Sequence, residues 1–78
     1  PAGFEVFPNP AQDSFYIRFA DARPRTVQLV NAAGNVLLTL QMNETECTVP
    51  LKDLPAGGYR VGAEGIWKQV VKQFGKKY

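Results

Sequence analysis

Turn-forming residues break this chain about every eight to twelve positions, and between them the side chains alternate with period two. Pro8-Asn9-Pro10, Pro24, Asn31 to Asn35, the polar Met42 to Thr45, Leu54 to Gly58 and Gly65 are the breaks. They leave no segment long enough to carry a helical period of 3.6. The intervals read as strands: Glu5–Phe7, Ser14–Phe19, Thr26–Asn31, Val36–Gln41, Glu46–Leu51, Tyr59–Glu64 and Trp67–Phe74. About seven short antiparallel strands at this spacing predict an all-β, immunoglobulin-like sandwich.

The alternation also predicts which side chains meet. Phe15, Ile17 and Phe19 share one face, as do Val27 with Leu29, Cys47 with Val49 and Leu51, and Tyr59 with Val61 and Ala63. Val36, Leu38 and Leu40 should face inward against Leu37, Thr39 and Gln41 outward. An apolar Leu37 on the outer face predicts a strand covered on both sides or supplied with a partner. Gly34 suits the positive φ of a hairpin turn, and the Gly57-Gly58 pair supplies conformations that other residues resist. Pro55 fixes φ ahead of them.

With 78 residues the chain is one domain with a thin margin of stability. Its single cysteine, Cys47, excludes an internal disulfide and reads first as a small apolar core residue, second as a reactive or pairing thiol. No apolar run approaches the length of a membrane span. The opening Pro1-Ala2-Gly3-Phe4 lacks the charged and apolar regions of a signal peptide and reads as the end of a linker over residues 1–4.

Charge is uneven. Through residue 50, Arg18, Arg23 and Arg25 stand against Glu5, Asp13, Asp21, Glu44 and Glu46, a net of −2. From residue 51, Lys52, Arg60, Lys68, Lys72, Lys76 and Lys77 stand against Asp53 and Glu64, a net of +4. Such a basic end attracts acidic partners or surfaces; lysines also protect an edge strand from pairing with other molecules.

The residue types for catalysis are sparse. There is no histidine, so the ordinary neutral-pH base and the commonest metal ligand are absent, and Cys47 has no imidazole to activate it. Asp13, Asp21, Asp53 and Glu64 each lie beside a turn, where carboxylates bond to local backbone. Tyr16, Tyr59, Trp67 and Phe74 could form a sugar platform, although core filling explains large aromatics in a small sandwich. The basic residues lack the aromatic interleaving of a nucleic-acid surface. Asn43-Glu44-Thr45 fits an N-glycosylation pattern and supports an exposed loop.

Three landmarks stand in order: Val6-Phe7-Pro8-Asn9-Pro10, then Val27 to Val36 through Asn31-Ala32-Ala33-Gly34-Asn35, then Leu54-Pro55-Ala56-Gly57-Gly58-Tyr59-Arg60-Val61 before a basic final strand. From Glu5 to Lys77 this resembles the type A C-terminal sorting domain of type IX secretion cargo. Phe7 stands where that family often has Tyr, and Gly58 where it often has an aliphatic residue.

The resemblance implies a sorting domain over residues 5–78, fused behind a cargo protein. It implies no cofactor, metal or enzyme activity. The expected partners are the outer-membrane type IX translocon and a sortase-like surface peptidase. The expected route runs through the periplasm to the cell surface, with removal of the domain in the linker upstream of Phe4. The motif residues are then Pro8, Asn9, Pro10, Gly34, Leu54, Pro55, Ala56, Gly57, Gly58 and Tyr59. Recognition is expected at Trp67, Lys68, Val70, Val71, Lys72, Phe74, Lys76 and Lys77. A weak homodimer through an open sheet edge is a further expectation. The alternative function is a carbohydrate- or protein-binding sandwich attached to a secreted enzyme.

Overall fold

A computed structural model describes residues 3–73, and they form seven antiparallel strands in two sheets. The strands are β1 (Glu5–Phe7), β2 (Ser14–Arg18), β3 (Arg25–Asn31), β4 (Val36–Met42), β5 (Glu46–Pro50), β6 (Gly57–Ala63) and β7 (Ile66–Lys72). One sheet has the order β1-β2-β5 and the other β4-β3-β6-β7. The predicted fold class and every predicted strand are present.

Alternation places the core between the sheets. Phe15, Ile17 and Val49 come from the three-stranded sheet, and Val27, Leu29, Val61 and Val70 from the four-stranded one. Leu51 lies just beyond β5 and is fully buried. Removing one of the larger side chains, such as Phe15, would cost about 3–5 kcal/mol. Cys47 packs half-buried against this core, and burial pushes its thiol pKa up, with a smaller push from Glu44.

Sheet turns follow backbone chemistry. Glu64 (φ 55°) and Gly65 (φ 80°) make the two-residue turn of the β6–β7 hairpin, whose doubly positive φ matches strand twist. At the β3–β4 turn Gly34 takes φ 90°, and Asn31 Oδ1 accepts from the N–H groups of Ala33 (3.0 Å) and Asn35 (2.9 Å). Of the Gly57-Gly58 pair, only Gly57 takes a positive φ, 149°. A Cβ at Gly58 would meet only the Gln69 side chain, at 3.7 Å, so an aliphatic residue fits there.

One expectation is corrected on β4: Val36 is 53% exposed rather than inward. Leu37 is 38% exposed, so within the described residues β4 is not covered on its outer face. The β3–β4 register shifts between Leu29↔Leu38 and Val30↔Val36, so a bulge absorbs Leu37. One extra residue reverses the alternation at that end of the strand. β4 is an edge of its sheet, with β3 as its neighbour.

Strand β3 also starts earlier than expected, at a buried arginine. Arg25 lies with its guanidinium 4.0 Å from the Phe19 ring centroid and donates from Nη1 to the carbonyls of Asp21 (3.0 Å) and Arg23 (3.3 Å). Its Nη2 pairs with Asp21 Oδ1, and Glu64 Oε1 lies 3.6 Å from its Nε. Asp21 and Glu64, expected to bond to local backbone, thus set their carboxylates against a buried cation.

Candidate recognition surface at the last described strand

The two-residue turn fixes which main-chain groups of β7 are available. Ala63 pairs with Ile66, so Ile66, Lys68, Val70 and Lys72 bond toward β6. Trp67, Gln69 and Val71 therefore aim their N–H and C=O groups at the sheet edge. That edge is not left open along its length. Asn9 Nδ2 donates to Gln69 O (2.9 Å), and Val71 N–H donates to Asn9 Oδ1 (3.0 Å). The carboxamide thus replaces a peptide unit of a neighbouring strand. Ala11 continues the cover: its N–H donates to Val71 O and its carbonyl accepts from Gln73 N–H, each at 2.8 Å.

Pro8 and Pro10 flank this clasp, and the peptide bonds preceding both are cis. As expected, the prolines end β1. The Asn9 clasp is an additional role that the sequence reading missed. It leaves residues 69–73 already paired along the outer edge of the last described strand.

The Leu54–Val61 landmark meets the same end of β7 from its β6 side. Tyr59 is buried, pairs with Val70, and donates from its hydroxyl to Pro55 O at 2.5 Å. Lys72 pairs with Gly57 and folds its ammonium back to the carbonyls of Leu51, Leu54 and Lys52, the last at 3.2 Å. Those carbonyls lie in the Leu51–Leu54 turn, whose own closing bond runs from Leu54 N–H to Leu51 O at 3.0 Å. A lysine reading as surface charge is here a clamp on the motif turn, with charge-assisted bonds stronger than neutral ones.

The Val27–Val36 landmark lies alongside. Asn31, Ala32 and Ala33 line a shallow groove of about 350 Å³ together with Leu54 to Tyr59. All three sequence landmarks therefore meet at the end of the sandwich where β7 finishes. Residues separated by about sixty positions, Asn9 and Gln69 among them, depend on one another there.

The expected recognition residues divide. Val70 is fully buried in the core, so it supports the strand and cannot be read from outside. Lys72 is engaged as described. Trp67 (47% exposed), Val71 (37%) and Lys68 remain at the surface. Lys68 Nζ lies 5.7 Å from the Phe4 ring centroid, over the open side between the sheets. Phe74, Lys76 and Lys77 lie outside the described residues. The suggested aromatic platform does not assemble around Tyr59, which is committed to the core.

Trp67 has a partner that the sequence reading passed over. It stands opposite Gly62, and a Cβ there would sit 2.5 Å from the indole ring. The register could have been found: counting outward from Glu64-Gly65 pairs Ala63 with Ile66 and then Gly62 with Trp67. Among the described residues no group of three or more His, Cys, Asp or Glu is placed to hold a metal ion.

A search of curated proteins finds no match to this chain. A family model described as the secretion system C-terminal sorting domain matches residues 5–77. That span contains all three landmarks and all seven strands, so the chain belongs to the C-terminal sorting domains of type IX secretion.

Proposed function

We propose that this domain directs a fused cargo protein through the outer-membrane type IX translocon and is cleaved off as the cargo is attached at the cell surface. Residues 5–78 are the sorting domain, joined by Phe4 of the expected linker end, which is buried in the core against Phe19, and the linker to the cargo lies ahead of it. A sortase-like peptidase cuts in that linker, upstream of Phe4. The domain passes through the periplasm folded and has no catalytic task of its own.

The observation that carries this reading is the convergence of the three landmarks at the end of the sandwich where β7 finishes, two of them bound to β7 itself. Pro8-Asn9-Pro10 clasps β7, and Lys72 and Tyr59 tie β7 to the Leu54–Gly58 turn. The translocon then reads a rigid, exposed set, Trp67, Lys68 and Val71, with Lys76 and Lys77 adding charge. Gly34, Gly57 and Tyr59 act by shaping the turns rather than by contact.

Lys68→Glu and Val71→Ser test recognition apart from folding, since both side chains are exposed. Each is expected to leave the melting temperature within a few degrees and to retain fused cargo in the periplasm. Normal surface delivery of a folded Lys68→Glu, Val71→Ser double variant overturns the assigned surface. Mass spectrometry of cargo at the cell surface checks removal; the domain's persistence there would favour a retained binding module.

A further inference from the structure

We propose that the outer edge of β4, free among the described residues, pairs with β4 of a second copy of this chain, antiparallel, across a twofold axis at Thr39. Sheet edges attract other strands unless they are short, charged, interrupted by proline or covered. The other described edges carry such protection. β1 has three residues and ends at Pro8, β5 is bounded by Glu46 and Pro50, and β7 is covered by Asn9 and Ala11. The seven residues of β4, Val-Leu-Leu-Thr-Leu-Gln-Met, contain no charge and no proline.

The free groups are identifiable. Gln28 and Val30 pair with Gly62 and Arg60 of β6, whose other residues bond to β7. Alternation then directs Val27 and Leu29 to β4, where they meet Leu40 and Leu38. Thr39 and Gln41 are left with main-chain groups pointing away from the sheet. An axis at Thr39 sets Thr39 against the partner's Thr39 as a hydrogen-bonded pair, and Gln41 against the partner's Leu37. The bulge at Leu37 weakens registers displaced toward Val36.

This register also matches side chains. Leu38 and Leu40 face the core but are only half-buried, because their sheet stops at β4. In the paired arrangement Leu38 meets the partner's Leu40 in a non-hydrogen-bonded position, where side chains approach most closely. No charge opposes the contact. The basic β7 strands stand at the far edges of the combined sheet, because the order is β4-β3-β6-β7.

Analytical ultracentrifugation of the chain from about 10 μM to 1 mM tests the idea, the upper limit corresponding to a binding free energy of about −4.1 kcal/mol. The expected result is a shift from monomer to dimer, with Thr39 and Gln41 amides gaining exchange protection as concentration rises. A monomer at every concentration overturns the proposal, as does a dimer that leaves those two amides unprotected. Thr39→Lys and Thr39→Glu are each expected to raise the dissociation constant at least about fivefold through like charges on the axis. Mixing the two should restore a heterodimer. Dimerisation undiminished in both, or failure of the mixture to associate, overturns the twofold at Thr39.

Discussion

Trp67 lies against Gly62, its cross-strand partner, so closely that a Cβ on Gly62 would sit 2.5 Å from the indole. A glycine gives a strand little to pack, and a large ring from the neighbouring strand fills that space. Val30, buried on the same outer side, lines a shallow hollow with Trp67, Arg60 and Gly34.

Gly62→Ala should therefore destabilise the domain by about 1–3 kcal/mol, by displacing the ring. Chemical denaturation gives the energy, and a red-shifted Trp67 emission reports the displacement. In a Trp67→Ala background the same change should cost little, since alanine suits a strand better than glycine there. An equal cost in both backgrounds would show that the indole is not what excludes the methyl group.

Asn9 mimics a peptide unit with one donor and one acceptor, so its variants should be graded. Asn9→Ala loses both bonds, and a cost of about 1–3 kcal/mol is expected. Asn9→Asp keeps the acceptor for Val71 N–H but sets a carboxylate near Gln69 O, so it should fall between the two. Amide exchange at Val71 should speed in Asn9→Ala, while exchange in β3 is unchanged.

The Arg25 cluster predicts an acid dependence. A hydrogen bond from Arg25, above all, holds the Asp21 carboxyl below its ordinary pKa. Its unfolded-state pKa is higher, so the unfolded chain binds the proton first and stability is lost as pH falls. The stabilisation is present above about pH 4 and disappears as pH drops through the depressed folded value. Melting temperatures measured from pH 7 down to pH 2 should show this loss. Asp21→Asn should flatten that part of the profile.

Tyr59→Phe removes the bond to the Pro55 carbonyl while keeping the buried ring, and should cost about 1 kcal/mol. Lys72→Met releases the carbonyls of Leu51, Lys52 and Leu54 while retaining much of the apolar stem. Limited proteolysis should then find the Lys52–Gly57 segment cut faster than in the native chain. If Lys72→Met leaves that rate unchanged, the ammonium is not what holds the turn.

Burial-driven elevation of the Cys47 pKa predicts a sluggish thiol. Alkylation by iodoacetamide at pH 7.5 should run several-fold slower in the folded domain than in urea. The rate should recover as the domain unfolds, because thiolate is the reacting form.

The sequence alone determined the seven strands, the core faces of β2, β3, β5 and β6, and the family, because period-two alternation and turn chemistry are local properties. Phe15, Ile17 and Val61 could be placed by counting. Tertiary structure decided what depends on contacts between distant positions: the Asn9 clasp on β7, the folding of Lys72 onto the Leu51–Leu54 turn, the burial of Arg25 and the seating of Trp67 on Gly62. It also decided the exposure of Val36, because a bulge is set by how two strands fit rather than by either strand's own pattern. Polar side chains read as solvated surface until a second segment brings carbonyls or carboxylates within bonding distance. That proximity is a property of the packed sheets.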